Sequence, residues 1–277
     1  MSRFSPQARF AYCASMQVPL RDGAILESDV VGQGAPVIFI HGFPISRHMW
    51  LAAAHALPQG WKAIVPDLRG HGSSSVHPSL SIASFADDLA DLHAALAPGR
   101  PAVFVGLSMG GIIAMEFWRR YPHIVRALAL CNTRSNAESP EGIARRTQVA
   151  RTAVEQGSLA VVDAMLPVVF GPDFPPQDRE RWRLLMAHTS PVTIAAASMA
   201  LAGRKDSAPT LPTVTVPTLV VAGEHDAITP PSTLEAIHRA IPASTLKVIA
   251  GAGHVPPVEK PREFSAVLNE FLGTLAS

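Results

Sequence analysis

The sequence predicts an α/β fold built on a mostly parallel β-sheet with helices on both faces. Three observations carry that expectation. Short apolar runs recur along the chain, segments of helical periodicity separate most of them, and strand-like runs vanish between Asn132 and Pro217. Strands that alternate with helices point to parallel pairing, because parallel neighbours need a long crossover connection that a helix supplies. A sheet covered on both faces also explains runs that are apolar throughout rather than at every second residue.

The first two runs, residues 10–18 and 24–31, flank Arg21-Asp22-Gly23, a turn signal that predicts a hairpin. Further strands are expected at 37–40, 62–65, 101–105, 125–130, 217–222 and 245–249, about eight in all. Ile82, Phe85, Leu89, Leu92 and Leu96 recur at three- and four-residue steps and line one helical face. Phe264, Val267, Leu268, Phe271 and Leu272 do the same after Pro261, a favourable first-turn residue. Between the sixth and seventh strands, helical patterns open at Ser139-Pro140, Ser158 and Ser190-Pro191 and run toward Gly157, Gly171 and Gly203. Serine caps and closing glycines are ordinary helix punctuation. A fourth pattern surrounds Trp182, Leu185 and Met186. The expected organisation is therefore a core domain of residues 1–133 and 211–277, with a helical cap of residues 134–210 inserted after the sixth strand.

Composition narrows the function classes. The 277 residues are 48% hydrophobic and 16% charged, enough for a large buried core. The net charge is +1 with dispersed basic residues, so neither nucleic acid nor an anionic membrane is an expected partner. Residues 1–17 lack the apolar stretch of a secretory signal, and no run reaches the roughly 20 residues needed to span a bilayer. Cys13 and Cys131 stand far apart without metal-ligand spacing and read as small core residues in a reducing compartment. A cytoplasmic location is expected.

The chemistry concentrates in three loops. Gly106-Leu107-Ser108-Met109-Gly110-Gly111 joins a strand to the helical segment 112–120. A serine held on so sharp a turn needs small neighbours, and the turn lifts its hydroxyl to the strand end beside a helix N-terminus. A hydroxyl is a weak nucleophile until a base takes its proton. His254, on a glycine-flanked loop past the last strand, is the expected base, imidazole being the side chain whose titration suits that task. A carboxylate should orient the imidazole and stabilise its charged form. Asp226, on the loop top after the seventh strand, is assigned that role, with Glu224 as its rival. The chain order serine, aspartate, histidine differs from both the chymotrypsin and subtilisin orders. Acyl transfer also needs donors for a developing oxyanion, and the backbone N–H groups of Phe43, after the third strand, and Met109 are the expected pair. Arg134, soon after the sixth strand, is a candidate to grip a substrate carboxylate. Among the cap residues, Trp182 is a candidate to line an apolar substrate pocket.

His41-Gly42-Phe43-Pro44, the segment from Asp67 to Ser74, the serine turn, Gly223-Glu224-His225-Asp226 and Gly253-His254 together resemble the α/β-hydrolase superfamily across nearly the whole chain. Within it, the sequence is most similar to the carboxylesterase and enol-lactonase-like branch. That resemblance implies an eight-stranded α/β-hydrolase fold, no cofactor and no metal, structural roles for Asp67 and His71, and a small-molecule ester or lactone as substrate. His-Gly-Phe-Pro also occurs in epoxide hydrolases and haloalkane dehalogenases, which use an aspartate nucleophile; serine at position 108 departs from them and favours acyl carbon. Carbon–carbon bond hydrolysis, acyl transfer or perhydrolysis on the same triad stand as alternative activities, and a non-catalytic ligand receptor stands as the alternative outside enzymes.

Overall fold

The computed structural model describes residues 13–275. Eight strands form one sheet: β1 (Cys13–Pro19), β2 (Ile25–Gly32), β3 (Gly34–Ile40), β4 (Gly60–Pro66), β5 (Ala102–Leu107), β6 (Val125–Cys131), β7 (Thr218–Gly223) and β8 (Ser244–Ile249). Their spatial order is β1-β2-β4-β3-β5-β6-β7-β8. β1 and β2 pair antiparallel, as the turn at Arg21-Asp22-Gly23 predicts, and β2 is antiparallel to β4. Every other pairing is parallel. All eight expected strands are present, in the mostly parallel arrangement that the α/β-hydrolase resemblance implies. The part of the first expected strand before Cys13, the Cys13 side chain and most of the stretch read for a signal lie outside the described residues.

Between the strands come α1 (Leu51–His55), α2 (Ile82–Leu96), α3 (Met109–Arg120), α4 (Pro140–Gln156), α5 (Ser158–Val169), α6 (Pro176–Ala187), α7 (Pro191–Ala202), α8 (Pro231–Ala240), α9 (Pro256–Glu259) and α10 (Pro261–Thr274). Two cores follow from the alternation of side chains along each strand. Ile38, Ile40, Phe104, Leu128 and Val220 join Phe85 and Leu89 of α2, Phe117 of α3 and Leu234 of α8 in one buried cluster. Val37, Phe39, Val103, Val105 and Leu219 join Trp50, Ala53 of α1, and Phe264 and Leu268 of α10 in the other. The two amphipathic helices read from sequence therefore cover opposite faces of the sheet. No single described helix is long and apolar enough to cross a membrane.

Local differences from the expected elements have local causes. β3 begins at Gly34 and runs through Pro36, which has no N–H to give. That is tolerated because Pro36 pairs only with Lys62 of β4, whereas pairing to β5 starts at Val37. Ser139 and Ser190 cap α4 and α7, accepting from the N–H of Gly142 and Thr193. Ser158 is not a cap: Gly157 holds that position, and the Ser158 hydroxyl donates to the carbonyl of Thr189, tying α5 to the end of α6. The helix after Asp226 begins at Pro231. The segment between β6 and β7 holds four helices, with α4 packed on α7 and α5 on α6.

The central crossing of the fold is where α3 leaves β5. A Cβ on Gly110 would stand 2.1 Å from the carbonyl oxygen of Ile40, and one on Gly106 would stand 2.3 Å from the Gly110 carbonyl oxygen. Both obstacles are backbone, so neither can rotate away. Gly110→Ala is expected to destabilise the protein by more than about 2 kcal/mol, read as a lower urea midpoint. A midpoint equal to that of the unsubstituted protein would mean that β3 and α3 are free to separate.

Candidate active site

Four loops at the C-terminal ends of β3, β5, β7 and β8 bring the expected residues together. Ser108 follows β5 directly, with φ 55° and ψ −114°, a conformation seldom adopted by a residue with a side chain. Its N–H donates to the Cys131 carbonyl at 2.9 Å, and its own carbonyl accepts from Thr133 Oγ1 at 2.7 Å. The strained turn is thus pinned from β6 on both sides of the residue. α3 starts at the next residue, so the Ser108 side chain sits at its N-terminus.

His254 Nε2 lies 2.9 Å from Ser108 Oγ, and His254 Nδ1 lies 2.8 Å from Asp226 Oδ2. The imidazole and the carboxylate are buried, and Ser108 is half-buried. Asp226 Oδ1 accepts from the N–H groups of Ile228 at 2.8 Å and Thr229 at 2.9 Å. Its Oδ2 accepts from Asn132 Nδ2 at 2.7 Å and from the Thr229 hydroxyl. Burial opposes ionisation of this carboxyl, but the hydrogen bonds and charge of His254 with the Thr229 and Asn132 donors outweigh it and hold the group at about 2. An ionised acceptor beside Nδ1 fixes the proton there and leaves Nε2 facing the serine as a proton acceptor. Glu224 is exposed and accepts instead from the Gly251 N–H at 2.8 Å, so the geometry favours Asp226 of the two.

The N–H groups of Phe43 and Met109 have no intramolecular acceptor among the described residues, and both residues line the cavity above Ser108. The Phe43 N–H belongs to the peptide whose carbonyl is Gly42, and that carbonyl is held by His41 Nδ1 at 3.0 Å. His41 Nε2 accepts from the Leu68 N–H at 2.9 Å, so the proton must sit on Nδ1 and donate to Gly42. Fixing one edge of a planar peptide fixes the direction of the N–H on the other. Burial keeps this imidazole neutral, pushing it down to about 4. His71 packs edge-on against it with ring centroids 4.9 Å apart, and burial and His41 push its own value down to about 3.

Three contributions were not legible in the sequence. Asn132, with φ 43°, turns back from the end of β6 to reach Asp226. Glu259 on α9 accepts from the N–H groups of Gly253 and Val255, each at 2.8 Å, and so holds both neighbours of His254; it also accepts from Gly171 at 2.7 Å. Arg146 and Arg204 line the same cavity as Ser108, together with the expected Arg134. Burial lowers the values of Arg134 and Arg146, against the attraction of Glu138. Trp182 is not among the residues that line this cavity. One helical turn from the fully buried Met186, it is half-buried against the core cluster that contains that methionine, so helical spacing marked a packing residue. Met165 of α5 does reach the cavity wall. Cys131 is buried and its thiol is pushed up, which keeps it protonated. Among the described residues no cluster of His, Cys, Asp and Glu side chains could hold a metal ion.

Comparison with known proteins agrees with this geometry at the level of fold and family. A family model described as "alpha/beta hydrolase fold" matches residues 35–261. A pimeloyl-[acyl-carrier protein] methyl ester esterase of Neisseria meningitidis serogroup B is 30% identical over 245 residues, which span 85% of this chain and 92% of the relative. Among solved structures, a thermophilic esterase from Thermogutta terrifontis with malate bound superposes with a TM-score of 0.91 at 36% identity, covering 96% of this chain and 100% of that one. An enol-lactonase from Burkholderia xenovorans LB400 gives 0.85 at 26% identity, over 93% of this chain and 100% of that one.

The two neutral buried histidines make stability depend on pH with a definite sign. Unfolded histidine takes up a proton near pH ~6.5, whereas the folded His71 resists until about 3. Stability contributed by keeping it neutral is complete above the unfolded value and is lost as pH falls toward the folded one. Between pH 6 and 4 the slope should therefore lose roughly 1.4 kcal/mol per pH unit in His71→Gln. Urea midpoints at several pH values check this, and parallel curves for the two proteins would contradict it.

Proposed function

We propose that this chain, which belongs to the alpha/beta hydrolase fold family, is a serine hydrolase that cleaves a small carboxylic ester or lactone through an acyl-enzyme. The observation that carries the reading is the hydrogen-bonded line from Ser108 Oγ through the His254 ring to Asp226, beside two unengaged backbone donors. The esterase and enol-lactonase likenesses support the same bond type.

In the first half-reaction Ser108 Oγ attacks the carbonyl carbon while His254 Nε2 takes its proton. The carbonyl oxygen becomes an oxyanion that accepts hydrogen bonds from the Phe43 and Met109 N–H groups. A single such donor is typically worth about 3–4 kcal/mol in the transition state. The imidazolium, stabilised by ionised Asp226, then donates its proton to the leaving oxygen as the C–O bond breaks. Water attacks the acyl-enzyme with His254 again accepting the proton, and the acid departs as Ser108 is regenerated. Residues 134–210 serve as the cap of this site: Arg134, Met165 and Arg204 reach its walls, and the carbonyl of Val169 accepts from the His254 N–H at 2.8 Å. The cavity offers about 100 Å³, below the roughly 300–1,000 Å³ of pockets for drug-sized ligands, which favours short acyl chains.

Ser108→Ala is expected to lower kcat on a short-chain nitrophenyl ester by at least about 10⁴-fold. In the unsubstituted protein a fluorophosphonate should label Ser108 alone, as read by peptide mass spectrometry. Undiminished turnover in Ser108→Ala, or labelling at another serine, would remove the proposed nucleophile. A Ser108→Ala protein that still binds the compound turned over by the native chain would remain consistent with the mechanism.

A further inference from the structure

The cavity that holds Ser108 is lined by more positive charge than the neighbouring carboxylates neutralise. Arg134, Arg146 and Arg204 all line it; among the described residues Glu138 is the carboxylate bonded to two of them, and Asp226 also attracts Arg134. Glu138 Oε2 serves two of the three guanidiniums, at 2.6 Å from Arg204 Nη1 and 3.4 Å from Arg146 Nε. Arg204 is held by three acceptors: its side chain is 2% exposed, and besides Glu138 it donates to the carbonyls of Asn136 and Leu201. It acts as the fixed anchor. Arg146 has no other acceptor among the described residues, and Arg134 has only the Ile228 carbonyl. Arg145 borders the adjoining cavity that shares Arg134, Arg204 and Ile228, but Glu141 lies close enough to offset it. Asp226 is committed to His254 and its four other donors.

A half-buried guanidinium with spare N–H groups is poorly solvated, and its preferred partner is a planar carboxylate that can take two parallel hydrogen bonds. Here two such groups lie in one small cavity with Ser108 and His254. We propose that Arg134 and Arg146 form an anion subsite for a carboxylate carried by the substrate itself, so that the natural ester is the half ester of a short dicarboxylic acid or an ester of a short hydroxy acid. The inference rests on the ester-hydrolase reading and adds the class of substrate to it. The subsite takes no part in bond making. The reaction remains ester plus water giving acid plus alcohol: a half ester releases an alcohol and a dicarboxylate, an acylated hydroxy acid releases a monocarboxylate and the hydroxy acid, and in each case the arginines hold the carboxylate that hydrolysis does not create.

Two measurements test it. In the first, kcat/KM is compared for monomethyl glutarate and O-acetylglycolate, which place the charge on the acyl and alcohol sides, against neutral methyl hexanoate and ethyl acetate. The native protein should favour at least one anionic ester over its neutral counterpart. Arg146→Gln should reduce that anionic-to-neutral ratio by about 10- to 100-fold, chiefly through KM, and added salt should reduce it further. Arg183→Gln removes an arginine on α6 that is paired with Asp163 outside the cavity, and it should leave the ratio unchanged. No preference for either anionic ester, or a ratio indifferent to Arg146→Gln, overturns the subsite even if neutral esters are hydrolysed. In the second, glutarate binding is measured by calorimetry on Ser108→Ala with and without Arg146→Gln. Binding weakened at least tenfold by the second substitution supports the subsite whether or not any ester is turned over. Equal binding, or none, overturns it.

Discussion

The backbone at Ser108 is the constraint on which the site depends. A residue with a Cβ at φ 55° and ψ −114° carries on the order of 1–3 kcal/mol of strain. The conformation persists because its surroundings leave no alternative. β5 delivers the chain into the turn, and α3 begins one residue later. β6 grips the turn through the Cys131 carbonyl and the Thr133 hydroxyl. The close approach of Ile40 to Gly110 presses β3 against the start of α3, which also brings the Phe43 loop beside the Met109 N–H. The same contacts that hold the strained residue thus bring both proposed oxyanion donors to the lining of its cavity. Relaxing the turn would disperse nucleophile and donors together.

Around this point the molecule treats its charged and polar groups in two different ways. Asp226 is buried, ionised and saturated with donors from three separate segments, Asn132 after β6, Ile228 and Thr229 in its own loop, and His254 after β8. Such a carboxylate has no freedom to take on another partner, which suits the proposed task of holding an imidazole still. His41 and Glu259 work similarly one step further out, the first fixing the peptide that carries the Phe43 N–H and the second fixing the peptides on either side of His254. The arginines across the cavity are the opposite case. One carboxylate serves more than one guanidinium, and spare donors remain. Saturated groups position the chemistry, while unsaturated groups leave room for something from outside.

What the sequence disclosed, and what it did not, follows from the range over which each signal acts. The eight strands, the amphipathic helices and the serine turn were legible because periodicity, glycine spacing and turn residues act within a few positions of the chain. Asp226 was preferred to Glu224 from its place two residues further along the loop, and the structure sets it rather than Glu224 within hydrogen-bond reach of His254. Asn132 and Glu259 were not legible, since each matters only through a residue 94 positions away, in the case of Asn132 and Asp226, or through backbone N–H groups that have no sequence signature. Arg146 lies on a helix whose other arginines look the same in one dimension. Trp182 erred for a related reason: the i, i+4 step to Met186 states that the two share a helical face, not which cluster that face meets. Ser158, likewise, has the right residue type at a helix start, yet Gly157 occupies the cap and the serine ties two helices together instead.

The inserted helices link these two sets of groups. His254 donates its N–H to the Val169 carbonyl at the end of α5, and Gly171 shares the Glu259 carboxylate with the loop that carries His254. Arg146 of α4 and Arg204 just past α7 meet at Glu138, where those two packed helices come together. A displacement of the α4–α7 pair would therefore move the positive wall of the cavity without breaking the Ser108–His254–Asp226 line, whereas a displacement of the α5 end would act on the base directly. On the proposed reading, the α4–α7 pair bears on recognition of the substrate, whereas the end of α5 bears on the base. Substitution on α4 or α7 would then alter the proposed anion subsite while leaving the Ser108–His254–Asp226 line in place, because the contacts that hold His254 come from α5, α9 and its neighbours in the chain.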